Sequence, residues 1–389
     1  MDNINININS MVEYIEVLVS IALDKDLKEY VEILDNLKAR VENSTTIDEI
    51  NSLKKELKVI DEELNKETRK LSSREEALIE RGYSKEDVIR LTSFTDEQLE
   101  EKKNLIIDRI TKACKRVENP ICIYLGGQPG CGKTTISRKI RNSDTNSGLV
   151  NVSLDNYRSY HPNYLEIEDC IKEHWEGREE TNNDTMGNDI ADFTHSFAGK
   201  MSDIIIDELS EKKDNKAYNI VLEWGMRTPE IPLERMEDMK NKGYTNVVDF
   251  IMVHKDVSKE ACKIRADVMN NFSHIIRRVP DYFHEMCINT LPDSAEEIYN
   301  IGYEEKKIVD QFILSTRDNK IVWDQTHEED IRDIYREFLE NKELSNDYNN
   351  SSYAVKSYEE EKDGFQDEIE LMLNSKSVNE EKEKLDFKI

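Results

Sequence analysis

Three separated groups of residues in this chain have types and spacings suited to chemistry on a phosphate. The first is Gly127-Gln128-Pro129-Gly130-Cys131-Gly132-Lys133-Thr134, followed by Thr135, which satisfies G-x-x-x-x-G-K-[ST] without a gap. Glycines let the backbone close around oxygen atoms and turn successive N–H groups inward. A helix N-terminus behind them adds a field that favours anions. Lys133 is then expected to reach the β- and γ-phosphates, and the Thr134 hydroxyl to ligate Mg²⁺. The pattern serves ATP or GTP. No N-K-x-D guanine reader follows it, which weighs against a GTPase.

The second group is "VNVSLDNYRSYHPNYLE", residues 150–166. Asp155 stands where strand gives way to loop. Ligands of open α/β sheets bind beyond the carboxyl ends of strands, so Asp155 is expected to face the same crevice as the glycine loop. It could hold Mg²⁺ through water, or accept the proton of a substrate hydroxyl. The Tyr-, Arg- and His-rich loop behind it favours the base, since a bare magnesium shell does not need such a loop. An N-cap is the structural alternative. Arg158 and His161 are the loop's candidates for substrate contact, although a histidine before Pro162 also serves to shape a loop.

The third group is "VLEWGMRT", residues 221–228, with Glu223 at the matching strand tip. A carboxylate after a run as apolar as "NIVL" is costly without a partner or ligand. Arg227, four residues on, is the candidate partner. Arg265 in "KEACKIRADV" and Arg277-Arg278 in "HIIRRVPDYFHE" offer the cations that a phosphoryl-transfer transition state needs. Spacing alone does not single them out, because arginines in acidic helices usually form surface ion pairs.

The elements that must position these groups fall in three zones. Residues 1–93 read as helix only. Leu27, Tyr30, Leu34, Leu37 and Val41 recur at helical spacing, as do Ile50, Leu53, Leu57, Ile60, Leu64 and Leu71. Ser73 with Glu76, and Ser84 with Asp87, resemble capping boxes. Residues 94–326 alternate apolar strand-like runs ("ICIYLG", "LVNVSL", "YNIVLEW", "NVVDFIMV", "KIVW") with amphipathic stretches such as 188–211 and 229–242. That alternation predicts an α/β fold, a parallel sheet flanked by helices. Residues 327–389 form an acidic tail, with a helix expected over 328–341 and frayed helix or disorder beyond.

Composition bounds the rest. The net charge of -28 argues against a nucleic-acid binder. Six cysteines without a C-x-x-C pair suggest neither a zinc site nor a redox motif, and fit reduced thiols in the cytoplasm. "MDNINININS" lacks the basic stretch and apolar core of a signal peptide, and no run is long enough to cross a bilayer. A soluble, cytoplasmic protein is expected.

Taken in order, "LGGQPGCGKTT", "DNYRSYHPNY", "FAGKM" (197–201), "EWGMRT" and "RRVPDYFHE" resemble the signature of the zeta-toxin family, over about residues 94–326. "SFTDEQL" (93–99) resembles the segment before that family's first strand. The resemblance implies a P-loop kinase-like fold and a toxin of a toxin–antitoxin system. Such toxins use ATP and Mg²⁺ to phosphorylate the 3′-hydroxyl of the sugar in UDP-N-acetylglucosamine, which blocks cell-wall precursor synthesis. It implies Asp155 as base, Lys133 and Thr134 as phosphate and Mg²⁺ residues, Glu223 and Arg227 on the substrate side, and Arg265 with Arg277 as the phosphoryl clamp. The gap between those arginines is one residue shorter than usual, so Arg278 could stand in for Arg277.

One departure bears on the acceptor. The family commonly reads E-G-T-x-R-T where this chain has Glu223-Trp224-Gly225-Met226-Arg227-Thr228. A lost threonine hydroxyl leaves a substrate group unpaired, at roughly 1–3 kcal/mol. Another UDP-sugar or nucleotide is therefore a second candidate acceptor. The family's antitoxin is a small helical bundle that blocks the ATP site, so residues 1–93 are a candidate inhibitor in cis, a separate antitoxin chain being the alternative. A reading of another class is a nucleotide-dependent interaction module. The acceptor-side residues favour the enzyme, because a switch needs none of them.

Overall fold

The computed structural model describes residues 2–141, 148–177, 183–269, 279–341 and 343–344. It divides into two compact units, Met1–Arg81 and Gly82–Ile389. That division falls ahead of the boundary expected after residue 93, because the short helices beyond Gly82 belong with the sheet. The acidic tail beyond residue 344 lies outside the described residues.

The first unit holds α1 (Asp2–Asp24), α2 (Lys28–Glu42), α3 (Ile47–Thr68) and α4 (Ser73–Glu80). One core joins the first three: Met11, Ile15, Leu18 and Ala22 meet Leu34, Leu37 and Val41, and both meet Ile50, Leu53, Leu57, Ile60 and Leu64. The α2 and α3 members belong to the predicted stripes, whose Leu27 and Tyr30 pack half-buried against this core and whose Leu71 is not part of it, with α1 supplying the third face. Arg40 grips Glu56 through two hydrogen bonds of 2.6 and 2.9 Å, tying α2 to α3. The cap of α4 is Ser72 with Glu75, one residue ahead of the pair expected from the sequence. Glu75 is the buried member, and its carboxylate accepts from Ser72 N–H and from Arg69.

The second unit opens with α5 (Lys85–Thr92) and α6 (Asp96–Thr111), capped by Ser84 and Thr95. The sheet strands are β1 (Arg116–Val117), β2 (Ile121–Gly126), β3 (Leu149–Val152), β4 (Ala217–Glu223), β5 (Thr245–Met252), β6 (Gln311–Thr316) and β7 (Ile321–Asp324). Between them lie α7 (Lys133–Arg141), α8 (Tyr164–Trp175), α9 (Asn183–Phe193), α10 (His195–Ser210), α11 (Glu230–Asn241), α12 (Lys255–Met269) and α13 (Asp281–Ile298); α14 (Ile331–Glu340) follows β7. Five strands run parallel in the order β3-β4-β2-β5-β6, with β7 antiparallel outside β6 and β1 antiparallel at the start of β4.

Both faces of this sheet are covered, which is why its strands read as unbroken apolar runs. Along β2, Cys122 and Tyr124 enter one core with Phe250, Phe312 and helix α10, while Ile123 and Leu125 enter the other with Ile136 and Val257. Two expectations are corrected. The run "KIVW" is not another crossover strand but the return of a hairpin, and its partner β6 is a strand the sequence reading missed. The stretch 188–211 is two helices, broken where Thr194 turns its hydroxyl back onto the Ile190 carbonyl.

Candidate active site

The carboxyl ends of β2, β3 and β4 open onto a cleft of about 990 Å³. β2 delivers the glycine loop, and α7 starts at Lys133. At Gly130 the backbone has φ 78°, and a Cβ there would lie 2.1 Å from the Ser258 carbonyl oxygen. Only glycine allows that approach. The side chains of Gln128 and Cys131 are fully buried and serve the scaffold. Gln128 donates to the Val253 carbonyl at 2.8 Å, pinning the loop to the end of β5. Lys133 lies over the loop, its ammonium donating to the carbonyls of Gly127 (2.8 Å) and Gln128 (3.1 Å). Gly127, Pro129, Gly130, Gly132, Lys133, Thr134 and Thr135 all line the cleft.

Asp155 lines the same cleft, in a short 3-10 turn (Leu154–Tyr160) beyond β3. It is not the N-cap of that turn, whose cap position is Ser153. Its Oδ1 accepts from Arg158 Nε at 2.8 Å. Arg158 also donates to the Ala191 carbonyl (2.7 Å) and to Thr194 Oγ1 (3.2 Å) at the α9–α10 break. Arg158 therefore orients Asp155 and does not line the cleft. His161, the other expected substrate contact, is fully buried between Phe94 and Phe197. Burial pushes its pKa down to about 3, and its Nδ1 accepts from Asn163 N–H. The structure keeps it out of the site because the ring fills an apolar gap under the loop.

At the tip of β4, Glu223 is not paired with Arg227. Its Oε2 accepts from Thr134 Oγ1 at 2.7 Å and its Oε1 from Asn151 Nδ2 at 2.7 Å. Arg227 turns instead toward α13, with Nη1 3.1 Å from Met286 Sδ and its guanidinium over the Phe283 ring. It still lines the cleft, as does Arg265 from α12. Arg277 and Arg278 lie outside the described residues. Burial pushes the Cys262 and Cys287 thiols up, and nearby cations offset this only in part, so neither thiol is a ready nucleophile.

Because Thr134 gives its proton to Glu223, the lone pairs of its oxygen are left for a cation. That donor set fits Mg²⁺ carried in by a nucleotide, which keeps mostly phosphate and water oxygens. Among the described residues no cluster of three or more His, Cys, Asp or Glu could hold a metal by itself. Nor is any described helix long and apolar enough to cross a membrane.

Trp224 and Gly225, the departure the sequence shows, line the cleft together with residues that the sequence does not single out. Trp224 packs edge-on to Tyr124, and a Cβ at Gly225 would meet nothing within 4 Å. Met226 holds a left-handed φ of 50°, fixed by Ser294 Oγ donating to its carbonyl at 2.6 Å. Asp203 and Asp207 of α10 and Asp238 of α11 also line the cleft, drawn together by Arg235. The "FAGKM" signature lies in α10, and it marks Gly199 at the cleft wall.

A glycine loop between strand and helix, with carboxylates at the two neighbouring strand tips, defines a phosphate-loop protein built to act on a second ligand. The model of the Zeta toxin family matches residues 103–328, and the chain belongs to that family of kinase-type toxins. It is similar to toxin PezT of Streptococcus pneumoniae serotype 4 (strain ATCC BAA-334 / TIGR4), 27% identical over 253 residues that cover 64% of this chain and 90% of that one. Toxin zeta of Streptococcus agalactiae is 26% identical over 213 residues, 54% of this chain and 67% of the relative. Among solved structures, a chain of the PezAT chromosomal toxin–antitoxin system of Streptococcus pneumoniae superposes with a TM-score of 0.55. It is 24% identical, covering 70% of this chain and 99% of that chain.

Proposed function

We propose that this protein is a cytoplasmic, ATP-dependent kinase that phosphorylates a sugar hydroxyl of a nucleotide sugar, the 3′-hydroxyl of the amino sugar in UDP-N-acetylglucosamine. The observation that carries the reading is the shared cleft: Asp155 opens onto the same volume as Lys133 and Thr134. In this reading Asp155 takes the proton of the acceptor hydroxyl as its oxygen attacks the γ-phosphorus. The bond to the β–γ bridging oxygen breaks, and ADP leaves. Lys133 and Arg265 stabilise charge on the transferring group, with Arg277 or Arg278 as a second guanidinium. Mg²⁺, when bound, neutralises charge on the β- and γ-phosphates.

Gly225 and Trp224 bear on the acceptor. The open space at Gly225 removes a possible hydroxyl contact and admits a substituent, so another nucleotide sugar is the second candidate. Incubating the protein with ATP and a pool of nucleotide sugars, followed by mass spectrometry, tests both. A phosphorylated UDP-N-acetylglucosamine supports the first. ADP release that ignores every sugar and survives Asp155→Ala supports a nucleotide switch instead.

The helical unit Met1–Arg81 is proposed as an inhibitor of the kinase, because PezT belongs to a toxin–antitoxin system and this chain carries its own helical domain. Expression of residues 82–389 is expected to slow growth more than the full chain does. Equal growth refutes inhibition in cis.

A further inference from the structure

Glu223 ends β4 with its side chain on the α7 face of the sheet, and Asn151 of β3 reaches the same face. Asn151 stands in register opposite Val221, and side chains two residues apart along a strand share a face. The amide thus arrives beside the carboxylate through strand pairing alone. Its orientation is fixed by charge: Nδ2 donates to Glu223 Oε1 at 2.7 Å, whereas the flipped amide would set an oxygen against a carboxylate. Among the described residues the buried Asn151 Oδ1 has no hydrogen-bond partner, so the bond to Glu223 sets the direction of the amide. Glu223 in turn spends its other oxygen on Thr134, the phosphate-loop hydroxyl. Among the described residues no cation forms an ion pair with Glu223, although Arg227 lies four residues away.

We propose that Asn151 is a positioning residue that turns Glu223 toward Thr134, so that this carboxylate serves the divalent cation of a bound nucleotide and not the acceptor. The inference rests on the kinase reading and deepens it. A carboxylate held against the Thr134 hydroxyl keeps that proton away from the cation side and adds negative charge just outside the cation's ligands. Losing such an outer partner typically costs about 10-fold in metal affinity.

The test measures the affinity of the full-length protein for ADP by calorimetry, with and without Mg²⁺, in wild type, Asn151→Leu and Glu223→Gln. Asn151→Leu keeps the side chain's size and removes the donor. The Mg²⁺-dependent gain in ADP affinity is expected to fall about 10-fold in both variants, with metal-free ADP affinity unchanged. Asn151→Ser, which keeps a short donor, is expected to fall between and stands in if the leucine variant fails to fold. Phosphate-transfer assays should show an unchanged KM for the acceptor. A variant with the wild-type Mg²⁺ gain, or with a raised acceptor KM in place of a reduced gain, overturns the proposal and leaves the kinase reading intact. A wild type whose ADP binding ignores Mg²⁺ overturns both.

Discussion

Replacing Asp155 by asparagine keeps the shape of the side chain and removes its capacity to take a proton. The structural cost is small. Asp155 is 44% exposed, and its contact with Arg158 is an ion pair of the kind worth about 0–1 kcal/mol. Arg158 stays anchored by the Ala191 carbonyl and Thr194, so the turn should hold its form without the pair. A Tm change of no more than about 4 °C follows. The chemical cost is large if Asp155 is the base: loss of a positioned proton acceptor slows transfer by about 10²–10⁴-fold, equivalent to about 2.7–5.4 kcal/mol of barrier. The assay is transfer of labelled γ-phosphate from ATP to the nucleotide sugar, with ADP affinity measured in parallel by calorimetry. The expected pattern is kcat down by at least two orders of magnitude with ADP affinity and Tm near wild type. A variant within a few-fold of wild-type kcat refutes the base assignment. So does a loss of activity that only accompanies a collapse in Tm, since the side chain would then be acting on the fold.

Three further substitutions probe the frame around the cleft. Gly130→Ala sets a Cβ 2.1 Å from the Ser258 oxygen and 2.9 Å from Cys262 Sγ, so calorimetry should show ADP binding reduced at least 10-fold. Tyr83→Phe removes a 2.7 Å hydrogen bond to the buried Asp189, which keeps its 2.7 Å bond from Trp175; a loss of about 2 kcal/mol should lower Tm by several degrees and leave kcat unchanged. Asp249 is buried on β5, where its Oδ1 accepts from Ser315 Oγ at 2.7 Å, and burial lifts its pKa from 3.8 to about 6. The native state then binds more protons than the unfolded chain between those values, so stability falls as pH rises through that window. Asp249→Asn should be more stable than wild type by on the order of 3 kcal/mol above pH 6, with the gap closing toward pH 4. Thermal melts at the two ends of the range check this, and a pH-independent gap refutes it.

Much of the frame was legible in the sequence because it is local. The glycine loop, the strand tips at Asp155 and Glu223, and the heptad stripes of the first unit are each written within a few residues. β6 escaped because "QFILST" is a short apolar run that gains its meaning only from β5 on one side and the return strand β7 on the other. The break at Thr194 escaped for a similar reason. Either side of it the pattern is helical, and only the hydroxyl's turn onto Ile190, together with Arg158 arriving from another loop, marks the division.

The partner of Glu223 shows the same limit at the level of chemistry. Sequence spacing offers Arg227, four residues on, and electrostatics alone would accept it. The backbone decides otherwise. Met226 takes a left-handed conformation, which carries the chain round so that Arg227 faces Met286 and Phe283 on α13. The carboxylate is left facing two neutral donors that come from 72 and 89 residues away. A neutral pair of donors fixes direction without cancelling charge, whereas an arginine would have done both. Glu223 therefore enters the cleft as an oriented negative charge beside the phosphate-loop threonine, and an incoming cation is what that arrangement favours.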